Sequence, residues 1–280
     1  RMPERVPGIH HPPGHRRRAG PVLLDKGAGV AARLVVQQIG HVALLPDLIN
    51  APPSDDLYRN AAAFAALVQA FESLRGDTMP AADEGRIVDA LRERIHIINQ
   101  QPGADYAAEA WRALANTAAG VALADETLFA RGTEAYRAVI DHDIHPDGYL
   151  PKVVESPNGY FEMLLTVQAL TLNAEAARHA GLDLWRYNNR GVSIVTAALY
   201  TLYYYFYPEK WKWGEHLTLE EVQPFFKSHG AYLEMLNLHI GRPTKAIDLI
   251  LDDQRPLFDT FGGGMTTLTH APMIRRGLFG

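Results

Sequence analysis

Cysteine is absent from the 280 residues, which removes disulfides, thiolate metal sites and a cysteine nucleophile together. No apolar run of about 18 residues free of charge occurs, which argues against a membrane span. A basic surplus is missing too: Lys plus Arg number 27 against 32 Asp plus Glu, a net charge of −5. That balance argues against a nucleic-acid partner, which a basic surface would serve. Alternating β-branched runs of strand length are lacking, so no substantial sheet is expected. What remains is a globular composition, 47% hydrophobic and 21% charged, which excludes wholesale disorder.

Residues 1–21 stand apart, with five Pro, five Arg and one Glu. They lack periodicity and read as an extended arm. His10, His11 and His15 lie there, but Pro-rich backbone presents imidazoles poorly to a metal and no carboxylate adjoins them. The chain opens on Arg1, which fits removal of a signal peptide and an expectation of periplasmic or secreted location.

From about residue 28 to 280 the pattern is helical and predicts one all-α domain. Leu57, Ala61, Phe64, Val68 and Phe71 step by four and three, one face of an amphipathic helix over 55–74. Ser54, Asp55 and Asp56 supply its cap. Similar segments cover about 29–45, 83–99, 105–123, 126–142, 159–180, 190–207, 219–239 and 243–252, with Pro or Gly in most of the connections. Short loops between helices of this length suggest antiparallel hairpins closed into an α/α toroid, whose cleft suits an extended polymer.

The most informative block runs from Phe129 to Trp185. A helix ends near His142, the loop HPDGYLP follows, and a polar stretch leads to Tyr160 at the next helix start. Asp147, Gly148, Leu150, Pro151, Tyr160, Ala174, Glu175, Ala176, Leu184 and Trp185 fall in a pattern that resembles the alginate lyase-like superfamily of polysaccharide lyases. The segment YNNRGVSIVTAALYTLYYYFYPEKWKW is similar to that superfamily's next helix and its tryptophan-rich exit. The resemblance covers about Ala104 to Trp213 and implies β-elimination on an anionic, uronate polysaccharide without metal or cofactor. Proton loss at C5 of a uronate requires the adjacent carboxylate to be neutralised by an amide, a cation or a protonated acid. A His or Tyr then takes the proton and a Tyr or His protonates the leaving oxygen.

The sequence departs from the best-known alginate lyase pattern at two places. Tyr106, Ala107 and Ala108 stand where Asn-Asn-His falls, and Lys152 is the sole cation between Pro151 and Tyr160. Glucuronan-cleaving lyases on the same scaffold are the nearer likeness. The resemblance makes Tyr160 the first candidate acid, projecting from its helix start toward the cleft, against a plain helix-start aromatic. Tyr106 either lines the cleft or packs. His96, beside Asn99 and Gln100, is either the base or a core histidine. The substrate surface is expected to gather Asn99, Gln100, Arg112, Lys152 and Asn158, since a polyanion needs local cations or amides. Trp211 and Trp213 either stack on sugar rings or pack beneath the rim, and Tyr203, Tyr204, Tyr205 and Tyr207 read as mostly buried. A metal among His142, His145, Asp141, Asp143 and Asp147 is disfavoured, because alternate residues on a helix end point apart. Gly262 to Gly264 form a turn near the cleft, not a phosphate loop. A glycoside hydrolase would need a carboxylate pair, and Asp141, Asp143, Asp147, Glu155 and Glu162 form no recognised one. The remaining alternative is a non-catalytic carbohydrate-binding or scaffold protein.

Overall fold

The structure, a computed structural model, describes residues 54, 56–75, 81–103, 105–214, 216–240, 245–264 and 266–270. The expected arm 1–21 and helix 29–45 lie outside these residues. The described chain is helical, with two isolated bridges as its extended pairing. In order it forms α1 (Leu57–Leu74), α2 (Ala81–Gln100), α3 (Tyr106–Leu123), α4 (Glu126–Ala138), a π turn (Val139–Asp143) and α5 (Pro151–Val154). Then come α6 (Gly159–His179), α7 (Ile194–Phe206), a 3-10 turn (Pro208–Lys210), α8 (Leu219–His229), α9 (Tyr232–His239), α10 (Lys245–Gln254) and α11 (Thr266–Thr269).

Local chemistry sets these bounds. Asp56, Asp105 and Asp125 each accept backbone N–H bonds from the first turn of the helix they precede, satisfying donors that have no partner inside the helix. Ser193 with Thr196 and Thr218 with Glu221 make capping boxes at α7 and α8. The helix expected over 126–142 changes character at Val139, where the Ile144 N–H reaches back five residues to the Val139 carbonyl at 3.1 Å. The helix expected over 219–239 is two, broken at Gly230 and Ala231.

Helices α1, α3 and α6 form the inner layer. Both α3 and α6 are buried on nearly every face, the signature of a helix enclosed by others, whereas α2 and α4 bury only one stripe each. The inner helices run the same way. The Gln101 amide bonds Ser54 and Asn60 at the head of α1, just before α3 begins. Trp111 in the second turn of α3 donates through Nε1 to the Leu165 carbonyl, in the second turn of α6, at 3.1 Å. Helices α3 and α4 approach so closely that a Cβ on Gly132 would meet Thr117 Oγ1 and the Ala113 carbonyl. Inner helices sharing a direction, backed by outer helices running against them, make an α/α toroid whose open end gathers the N-termini of α1, α3 and α6.

Candidate active site

Aromatic contacts and one buried carboxylate link the helices at that end. Tyr58, at the head of α1, meets Trp111 edge-on at 5.6 Å. One turn beyond Leu165, Gln168 Nε2 donates to Asp259 Oδ2, and the Phe261 and Gly262 N–H groups donate to its Oδ1 at 3.0 and 2.9 Å. Gly262 is required there, because a Cβ would strike Asp259 and Gln168. His229, the last residue of α8, holds Nδ1 3.9 Å from Asp259 Oδ2 with its side chain 31% exposed. Its ring lies 4.5 Å from Phe225, which packs 4.7 Å from Phe161 of α6.

The electrostatics separate two proton-carrying roles. Burial lowers the His229 pKa, with Asp259 pulling the other way, so the imidazole is neutral near neutral pH and free to accept a proton. Burial pushes the Tyr58 phenol up to about 12, helped by the negative charges of Asp259, Asp56 and Asp105; it keeps its proton. The Asp259 charge therefore acts on both groups.

A second cluster flanks this one. Tyr106 donates to Asp143 Oδ2 and Lys152 Nζ to Oδ1, each at 2.7 Å. Burial, then the bond to Asp143, raises the Tyr106 pKa. Asp141 receives the Tyr187 hydroxyl at 2.9 Å, so the two aspartates of the π turn serve different tyrosines. His145 stacks on Tyr149 at 4.4 Å, and Tyr149 lies 5.1 Å from Trp213.

Several expected site residues have other duties. Tyr160 does not project into the cleft: it is 1% exposed, and its hydroxyl donates to the Thr201 carbonyl at 3.1 Å. Burial, above all, raises its pKa well beyond that of a free phenol. Trp211, 8% exposed, packs on Tyr160 at 5.3 Å and Tyr204 at 4.9 Å, under the surface instead of against sugar. His96 is exposed on α2 and pairs with Gln100 at 2.8 Å; it is not a core histidine. Asn99 exchanges amide bonds with Asn116. The Arg112 guanidinium is consumed by Glu109 and the Ile98 and Gln101 carbonyls. Asn99 and Arg112 thus spend their polar groups on neighbouring side chains and backbone carbonyls. Lys152 and Asn158 are exposed beside the head of α6, and Asn158 makes no capping bond. Tyr203 and Tyr207 of the tyrosine run are exposed, at 44% and 46%. His10, His11 and His15 lie outside the described residues, among which no group of three or more His, Asp or Glu side chains is placed to hold a metal ion.

Toward the far end of α6, about 24 Å from its start by helical rise, Glu175 gathers a polar hub. Arg178 and Trp185 donate to it at 2.6 and 3.3 Å, and His239 lies at 3.0 Å. His179 and His270 stand at 3.3 and 3.7 Å.

An α/α toroid with aromatic rings and an imidazole beside a fixed carboxylate at its open end has the groups that a carbohydrate-cleaving enzyme working by proton transfer needs. The alginate lyase family model matches residues 67–211, just over half of the chain. The chain belongs to that family and is a polysaccharide lyase. No curated protein sequence matches it. Among solved structures it is similar to alginate lyase A1-III from Sphingomonas species A1, with a TM-score of 0.70 and 21% identity over 82% of this chain and 68% of that one. A His-to-Ala variant of A1-III complexed with a tetrasaccharide matches at a TM-score of 0.70 and 22% identity, with the same coverage. A Tyr-to-Phe variant, also complexed with a tetrasaccharide, matches at 0.69 and 21%, covering 82% of this chain and 70% of that one. At such identity the likeness establishes the fold. Tyr58, His229 and Asp259 all lie outside the span the family model matches, and no local motif joins them, which is why sequence reasoning missed them.

Proposed function

We propose that the chain cleaves a β-1,4-linked polyuronate, glucuronan or alginate, by β-elimination at the mouth formed by α1, α3 and α6, with His229 as the base. The observation that carries this reading is the single Asp259 carboxylate acting on a neutral, half-exposed imidazole and on a phenol that keeps its proton. His229 takes the C5 proton of the uronate. The electron pair left at C5 forms the C4–C5 double bond, the C4–O bond breaks, and Tyr58 protonates the departing oxygen. Lys152 and Asn158 stand as the groups that meet the substrate's carboxylates, and Tyr106 holds Asp143 and through it Lys152. The Asn-Asn-His of the best-known family pattern is replaced here by Tyr106, Ala107 and Ala108, so a base from another helix is what the chemistry requires. The tetrasaccharide complexes of the related lyase support a cleft that holds several sugars. Mixing the protein with polyglucuronate and, separately, alginate tests the reading. Elimination yields a conjugated 4,5-unsaturated uronate that absorbs in the ultraviolet, whereas hydrolysis yields reducing ends without that band. Reducing ends without the band on both polymers, or neither product, refutes it.

A further inference from the structure

Tyr200, Tyr203 and Tyr204 on α7 and Tyr207 just past its end repeat by three and four, so one face is aromatic over about 10 Å. Its outer edge is not covered: Tyr203 and Tyr207 are 44% and 46% exposed, with rings 5.3 Å apart. Lys210 places its ammonium 4.4 Å from the Tyr207 ring and 5.7 Å from that of Tyr203. Two residues on, Lys212 lies 4.8 Å from Trp213 and 5.5 Å from Tyr149. The two stations adjoin through Tyr204 and Tyr200: Tyr203 to Tyr204 is 5.1 Å, Tyr204 to Tyr200 is 5.2 Å, and Tyr200 to Tyr149 is 5.7 Å.

The stations are rigidly mounted. Trp211, between the two lysines, is buried against Tyr160 and Tyr204 and fixes the strip Lys210–Trp213 to the core. Trp213 is oriented by its Nε1 bond to the Tyr200 hydroxyl at 2.9 Å, and that hydroxyl accepts a further bond from Tyr204 at 3.2 Å. None of these side chains belongs to the His229–Asp259 group, and both lysine stems lie in solvent. Glu209 is the acid that acts on Lys210, and it too is exposed.

An aromatic face bordered by an ammonium is the complement of a uronate residue. The apolar face of the pyranose stacks on the ring, while its carboxylate meets the cation. We propose that Tyr203, Tyr207 and Lys210, continued by Trp213, Tyr149 and Lys212, form a second carbohydrate-binding track that holds an acidic polysaccharide beside the catalytic mouth. Such a track retains the polymer between cuts without taking part in elimination. The choice of a polyuronate as occupant rests on the lyase reading above, but binding is measured independently of cleavage.

The test compares the unaltered chain with two variants, Tyr203→Ala/Tyr207→Ala and Lys210→Gln/Lys212→Gln, by retardation in gels containing polyglucuronate, alginate or a neutral β-glucan. All four substituted positions are at least partly exposed, so circular dichroism and melting temperature are expected to stay at the unaltered values, which keeps the comparison interpretable. Each variant should weaken retardation by the polyuronates about tenfold or more, the range expected when stacking or a charge contact is removed. Added salt should weaken binding of the unaltered chain, since exposed charge contacts are screened. Turnover of an unsaturated-product-forming tetrauronate should remain within about twofold, a surface effect in scale, while the KM for polymer rises. Unchanged retardation in both variants, or equal retardation of the unaltered chain by the neutral glucan, overturns the track. Lost retardation with no ultraviolet product from any polyuronate keeps the track and overturns the lyase reading; product with unchanged retardation does the reverse.

Discussion

Replacing His229 by Asn separates a catalytic imidazole from a packed one. The ring makes no hydrogen bond to Asp259 at 3.9 Å, and its main contact is Phe225 at 4.5 Å. Removing it therefore costs little folding free energy, about 0.5–1 kcal/mol for a half-exposed site. If it takes the C5 proton, elimination falls by about 10²- to 10⁴-fold, equivalent to about 3–5 kcal/mol of barrier. The paired control is Tyr160→Phe. Its hydroxyl contributes one buried bond to the Thr201 carbonyl, worth about 1 kcal/mol, so melting should drop by about 2–4 °C with turnover nearly intact. Initial rates of ultraviolet product formation and thermal melts on both variants form the assay. A His229→Asn enzyme within about threefold of the unaltered rate, outside the range of lost general-base catalysis, refutes the assignment. So does a natively folded Tyr160→Phe enzyme that has lost about 10²-fold, since a residue with that effect must be reaching substrate.

Gly132→Ala should destabilise the chain by about 1–3 kcal/mol, read by denaturant midpoint, because its new methyl meets Thr117 and the Ala113 backbone; a neutral result would mean that α3 and α4 sit farther apart. Glu175→Gln should cost about 2–3 kcal/mol, discounted for the part-exposed Arg178, with elimination by the folded enzyme unaffected because the hub lies at the far end of α6. Acidification should lower stability in two stages. His229 and His239 have depressed pKa values, chiefly from burial, so the unfolded chain takes up protons first and stability declines as pH falls below 6.5. Burial raises the Glu175 pKa, but bonds from His179, His270 and Arg178 outweigh it and hold the carboxyl far below its ordinary value of 4.5. Its contribution is full above that value and is lost on further acidification. Denaturant midpoints from pH about 8 down to about 4 check this; a flat profile contradicts the histidine placements.

Helix α1 was legible because its apolar residues step by four and three and Asp56 caps it locally, and the start of α3 because Asp105 caps it. The split between α8 and α9 was not, since Gly230 and Ala231 also suit a continuous helix. Tyr160 was misplaced because its cover comes from Thr201 and Trp211, some 40 to 50 residues away in sequence. The placement of Trp211 depended in the same way on Tyr160 and Tyr204. The glycines near Gly262 were readable as a turn, but their partner Gln168 and the nearby His229 lie on helices whose meeting is a property of the closed toroid. A local pattern carries no trace of it.

The π turn at Val139–Asp143 carries a consequence for how this chain tolerates change in length. A π turn is an α-helical turn with one residue added, and each residue rotates the downstream chain by about 100°. That offset lets Asp141 face Tyr187 while Asp143 faces Tyr106 and Lys152. Deleting one residue between Val139 and Asp143 would restore a regular helix and swing every side chain after it away from its present partner. Substitutions in this stretch are therefore individually repairable, whereas a single-codon deletion strikes both tyrosine anchors and the HPDGYLP loop at once. Among related chains, the length of this segment should vary less than its composition.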